Sequence, residues 1–196
     1  MVVTPNSRCK AGRDRDASRT PRVAAIETKP GNAEEVNVVW SRNSIESLFL
    51  DAPVLTEWLT AFLGDPPVDG LAEIVERAIS AADLDDALGA DAKRIYIDAK
   101  TTQDTKIDST LREAKTQAFL EAETYLKQNP HVWQKGRERA RVILRTVHAA
   151  LPAKRQAAFP VDLARIIGDA PAERIRELKI AIPAEVQTLL EIMVEP

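Results

Sequence analysis

From residue 52 onward the apolar residues of this chain recur at intervals of three and four, and an amphipathic helix is the element that buries such a pattern on one face. Leu55, Trp58, Leu59 and Phe62 make one such face. Leu71, Ile74, Val75, Ala78, Ile79 and Ala82 make the next, predicting a helix over 69–88 closed by Gly89. Ile107, Leu111, Ala114, Ala118, Ala122 and Tyr125 mark a long helix that ends before Asn129-Pro130. Ala140, Ile143, Leu144, Val147 and Leu151 mark another that ends at Pro152. Arg94–Ala99 carries no decisive period. The punctuation fits: Asp51 can cap a helix that tolerates Pro53 in its first turn, and Gly64-Asp65-Pro66-Pro67 stops it. Three short helices should start near Pro160, Pro171 and Pro183, since proline is accommodated in a first turn.

The N-terminal texture is different. Residues 1–21 are polar and basic, broken by Pro5, Gly12 and Pro21. Arg22–Glu27 and Val36–Trp40 read as two short strands around the turn Lys29-Pro30-Gly31-Asn32. Ser41–Leu50 reads as a short helix. Two strands are marginal alone, and a complete α/β domain needs further strand–helix units ahead of residue 22. The expected class is therefore mostly α with a small β-containing N-terminal piece, as though the chain began within a fold. The expected division is 1–50 for an α/β segment and 51–196 for a helical region.

With 44% apolar and 29% charged residues the chain can build a core, and with three Trp, two Tyr and four Phe that core must be largely aliphatic. Cys9 is the single cysteine, so neither an intramolecular disulfide nor a cysteine zinc site can form. There is no apolar leader and no run approaching 18 apolar residues, so no signal peptide or membrane span is expected, and the cytoplasm is the expected location. The net charge of −3 does not advertise a nucleic-acid binder, but its distribution is uneven. Arg8, Lys10, Arg13, Arg15, Arg19 and Arg22 cluster in one stretch; Lys135, Arg137, Arg139, Arg141 and Arg145 cluster in another against Glu138. Such patches either bind phosphate or are solvated faces.

Three stretches could carry chemistry. Asp14-Arg15-Asp16 puts two carboxylates one residue apart; at a strand end they can share Mg²⁺ or Mn²⁺, and otherwise they are a solvated acidic loop. Glu46 follows a strand among apolar neighbours, where α/β folds gather ligand sites, or it simply pairs with Arg42 four residues earlier. Lys135-Gly136-Arg137 opens a basic helix whose N-terminus can hold a phosphate, or is an ordinary loop-to-helix junction. His131 and His148 lack metal-ligand spacing, and no P-loop, Gly-x-Gly-x-x-Gly or Gly-x-Ser-x-Gly pattern occurs.

Taken in order, these stretches resemble the C-terminal half of OLD-family (overcoming lysogenization defect) Toprim-type nucleases and their stand-alone Toprim relatives from ATPase-linked phage defence. That family has an Asp-x-Asp element, then roughly Arg-x-x-Ile-Glu-Asn-Tyr-Leu, then Lys-Gly-Lys opening a helix. Here the elements would be Asp14-Arg15-Asp16, Arg42 to Leu50 with Ser47-Leu48 replacing Asn-Tyr, and Lys135-Gly136-Arg137 with Arg replacing the second Lys. The closing stretch from Phe159 to Val186 is also similar to the end of such proteins. The resemblance implies a partial Toprim-like α/β remnant followed by a helical region. It implies Asp14, Asp16 and Glu46 as ligands of Mg²⁺ or Mn²⁺, and Glu46 and Lys135 as catalytic groups. It implies Lys135, Arg137, Arg139 and Arg141 as DNA-binding groups, with a fused or separate ATPase as partner and homo-oligomers within reach. The family's first catalytic Glu lies on an earlier strand with no counterpart here, so the enzyme implied is incomplete as a single chain. The other classes consistent with the sequence are a non-catalytic helical interaction module and a DNA-binding helical protein that uses the 135–145 face.

Overall fold

A computed structural model of the chain describes residues 25–28, 36–39, 42, 44–104 and 108–194. Strands β1 (Ala25–Thr28) and β2 (Val36–Val39) pair antiparallel, with Ala25 opposite Val39 and Thr28 opposite Val36. A 3₁₀ helix, Ile45–Phe49, leads into the helical region. The helices are α1 (Ala52–Leu63), α2 (Leu71–Asp83), α3 (Asp86–Asp104), α4 (Asp108–Gln128), α5 (Pro130–Trp133), α6 (Gly136–Ala150), α7 (Ala153–Gln156), α8 (Leu163–Asp169), α9 (Ala172–Glu177) and α10 (Ala184–Val194). No helix among the described residues is long and apolar enough to cross a membrane.

The main core is made by the 3₁₀ helix, α1, α2, α6 and α8. Leu55 and Leu59 of α1, Val75 and Ala78 of α2, Ile143, Leu144 and Val147 of α6, and Ile166 of α8 are fully enclosed. Their spacing is the helical period of the sequence, so each helix contributes one stripe and leaves its charged face to water. Leu48, Phe49 and Leu50 are buried in this same core, which therefore reaches back before residue 51. Phe49 packs edge-on to Trp58 with ring centroids 6.0 Å apart.

A second, aromatic cluster joins α3, α4 and α5. Tyr96 stacks on Tyr125 at 5.1 Å and meets Trp133 edge-on at 5.3 Å, closing with Ala92 and Ala122. Such pairs each contribute about 0.5–1.5 kcal/mol beyond area burial. Burial pushes the Tyr96 phenol pKa up, helped by the negative charge of Glu121. The cluster fixes Trp133, and with it the entry of the chain into α6.

The helix ends differ from expectation in two places. Gly89 does not close a helix; it lies inside α3. The break comes earlier, where the Asp85 carboxylate accepts the Leu88 N–H at 2.9 Å and starts a new helix. Arg94–Ala99 lies within this helix, α3. Asp51 sits at the N-cap of α1 with extended backbone, but its carboxylate accepts from Arg42 at 2.7 Å and not from a helix N–H. Asp162 is the side chain that caps as such a residue should, accepting from Ala164 N at 2.9 Å and Arg165 N at 3.3 Å to start α8.

Candidate functional site

The 3₁₀ helix and the start of α6 meet at Gly136. A Cβ on Gly136 would lie 2.1 Å from Ser44 Oγ, 2.5 Å from Ser47 Oγ and 2.9 Å from the Ser47 backbone nitrogen. Only a hydrogen fits there, so this glycine serves close approach of two backbones. Both serines are buried, and neither hydroxyl has a hydrogen-bond partner among the described residues. The contact brings together the stretch 42–50 and the stretch 135–137.

Across the same contact, Glu46 Oε1 faces Arg137 Nη2 at 3.5 Å. Glu46 is three-quarters enclosed, while Arg137 is 72% exposed. Glu46 does not pair with Arg42. Arg42 instead donates to the Ser47 carbonyl at 2.7 Å and to Asp51 at 2.7 Å, tying the 3₁₀ helix to the start of α1. Glu46, Arg137, Arg141 and Asp162 line a cleft of about 220 Å³ between the 3₁₀ helix, α6 and α8. It has two carboxylates and two guanidinium groups over an apolar floor of Ala140 and Leu163.

The other expected site residues are placed as follows. Lys135, at the N-cap of α6, reaches Asp91 of α3 at 2.8 Å. Lys135 and Arg94 together hold the Asp91 carboxyl below its ordinary pKa. Arg139 does not belong to the solvent face: it is 2% exposed, bonded to Asp83 at 2.5 Å and to the Gln134 carbonyl oxygen. Gln134, also buried, donates to the Ala82 carbonyl at 3.3 Å. This network fastens the end of α2 to the start of α6 and gives Arg139 a structural role, because its position on α6 falls on the stripe that faces α2. Arg141 is exposed. Asp14 and Asp16 lie outside the described residues.

Among the described residues no three His, Cys, Asp or Glu side chains stand close enough to hold a metal ion. The donor chemistry agrees. The Glu46 carboxylate faces a guanidinium, which opposes a cation beside it, and the Asp162 carboxylate already caps α8. Among the described residues Glu46 stands as the partner of Arg137. What the arrangement can do is accept a proton or hydrogen bond at Glu46 and offer positive charge at Arg137 and Arg141 to an anion entering the cleft.

Two participants escaped the sequence reading. Asp162 is legible as a helix cap, but its place in the cleft depends on how α8 packs on α6. Asp91 has no sequence signal as the partner of Lys135, since the two are brought together by the packing of α3 on α5, where Tyr96 meets Trp133. Comparisons with protein-family models, with curated proteins and with solved structures found no match to this chain.

Proposed function

We propose that the chain is part of a Toprim-type, metal-dependent nuclease subunit that acts on DNA phosphodiester bonds in an ATPase-linked defence system. The observation that supports this reading is the meeting of two elements far apart in sequence. The stretch around Glu46 and the stretch Lys135-Gly136-Arg137, each singled out from the sequence, touch at Gly136 and share one cleft. In this reading Arg137 and Arg141 hold a phosphate of the strand, and Glu46 orients Arg137 and accepts a proton or hydrogen bond beside it. The metal belongs to the proposal through Asp14 and Asp16.

The test is plasmid cleavage by the purified chain with Mg²⁺ or Mn²⁺, beside the Asp14→Ala/Asp16→Ala and Glu46→Ala variants. Metal-dependent nicking is expected, abolished in the double variant and lowered on the order of a hundredfold by Glu46→Ala. A folded wild-type chain that cuts no DNA overturns the reading of this chain as itself an active nuclease and leaves a non-catalytic role.

A second reading, a non-catalytic helical interaction module, is favoured by one observation. Phe119 and Leu120 on α4 are 54% and 66% exposed, with Lys93 lying 4.0 Å above the Phe119 ring. Large exposed apolar side chains side by side suit a protein contact.

A further inference from the structure

Most described arginines of this chain are tied down. Arg42, Arg94, Arg139, Arg165 and Arg174 each reach an aspartate within 3.4 Å. Arg155 is spent on the carbonyls of Leu63 and Pro66, at 2.6 and 2.8 Å. Among the described residues Arg77 and Arg176 are exposed without a carboxylate partner, and so, on one helix, α6, are Arg141 and Arg145. Arg137, one step nearer the helix start, has among the described residues only its 3.5 Å approach to Glu46. In a chain of net charge −3, these three uncompensated or loosely held cations share one helix face.

Their spacing is regular. Arg137, Arg141 and Arg145 stand four residues apart, which on an α-helix is a rise of about 6 Å and a turn of about 40° per step. They form a single slowly winding ridge, and the step is comparable to the separation of neighbouring phosphates along a nucleic-acid strand. Arginine suits phosphate because its planar fork gives two parallel donors and its charge is permanent. Arg139 is turned inward, so the ridge does not include it. Lys135 is engaged by Asp91. Glu138, exposed, flanks the ridge with no ion pair among the described residues. The ridge ends at the cleft, which Arg137 and Arg141 themselves line beside Glu46.

We propose that Arg137, Arg141 and Arg145 form a track for the sugar–phosphate backbone of one DNA strand, running along α6 into the Glu46 cleft. The track reads no bases; it sets the position of the strand. What is done to the strand rests on the nuclease reading above, whereas the binding does not.

The test is fluorescence anisotropy with a labelled DNA duplex of arbitrary sequence and with its single strand. It is run in EDTA, so that binding is measured without cleavage, over a series of KCl concentrations. Wild-type affinity should fall steeply with salt. Arg141→Gln/Arg145→Gln should lower affinity roughly tenfold at low salt. The same variant should reduce the slope of log K against log salt by about 1.8 on duplex, or about 1.4 on single strand, two phosphate contacts being lost. The control is Arg77→Gln/Arg176→Gln, which removes the same charge from exposed positions on α2 and α9; its slope should stay near wild type. Equal losses in the two variants, an unchanged ridge variant, or no DNA binding by the wild type would each overturn the track. Ridge-dependent binding by a chain that does not cut plasmid leaves the track standing and removes the nuclease reading. Cutting by a chain whose binding ignores the ridge does the reverse.

Discussion

Replacing Gly136 with alanine sets two effects against each other. Alanine is the better helix former, by about 1 kcal/mol in a helix interior, so on propensity alone Gly136→Ala, at the first residue of α6, should stabilise the helix by no more than that. The packing says the opposite. The new methyl would lie 2.1 and 2.5 Å from the hydroxyls of Ser44 and Ser47, well inside the 3.4 Å at which ordinary contact begins. Rotating the serines could relieve those two contacts, although both side chains are enclosed. It could not relieve the third, because the Ser47 nitrogen at 2.9 Å is backbone. The 3₁₀ helix must therefore move, carrying Leu48 and Phe49, which are core residues. Overpacking of this kind costs roughly 1–3 kcal/mol, and the need for backbone movement puts it at the upper end. Net of propensity, the expected loss is about 1–2 kcal/mol. With a urea slope of about 2 kcal/mol/M, the unfolding midpoint should fall by about 0.5–1 M. Ser44→Ala/Ser47→Ala removes two buried hydroxyls that have no partner among the described residues. It should be neutral or stabilising by up to about 1 kcal/mol. Combined with Gly136→Ala it should recover part of the loss, a coupling that a double-mutant cycle isolates. A midpoint for Gly136→Ala equal to or above wild type would refute the close-approach argument.

Two further outcomes follow from the geometry. Arg139→Ala should cost roughly 2–3 kcal/mol in urea unfolding, less than breaking a fully buried pair, because Asp83 is one-third exposed and can be rehydrated. A loss under about 0.5 kcal/mol, the size of an ordinary surface substitution, would refute its structural role. Asp91 is held below its ordinary pKa by Lys135 and Arg94, so its contribution is present above the unfolded carboxylate value and disappears as pH falls through the lowered one. Asp91→Asn should therefore be slightly less stable than wild type at neutral pH, by about 0.2–1 kcal/mol for a pair this open to water. The two proteins should converge in acid, and a difference that stays constant down to acid pH would show that the charge is not the cause.

The helices were legible because burial imposes a period. Leu55, Trp58 and Leu59, or Ile143, Leu144 and Val147, can face one core only if the backbone is helical, and the structure buries them together. Prolines and Gly64 marked most boundaries, since they act on the local backbone whatever packs around it. Gly89 misled because a glycine is tolerated within a helix, while the cap that governs the break, Asp85, acts through one hydrogen bond that leaves a weak trace in sequence.

The candidate site was legible only as separate pieces. Arg42–Leu50 and Lys135–Arg137 were visible as unusual stretches, but their contact depends on α6 crossing the 3₁₀ helix at a residue without a side chain. Which cations on α6 face water was also beyond the sequence. Arg137, Arg139 and Arg141 alternate along the chain as equals, yet the helix turns Arg139 toward Asp83 and leaves the other two at the cleft. Sequence alone thus determined most of the helices, though not α3, because periodicity and backbone chemistry are local. Tertiary structure decided the partners of Glu46, Lys135 and Arg139, because a charge finds its partner across space, and nothing in the order of residues records that distance.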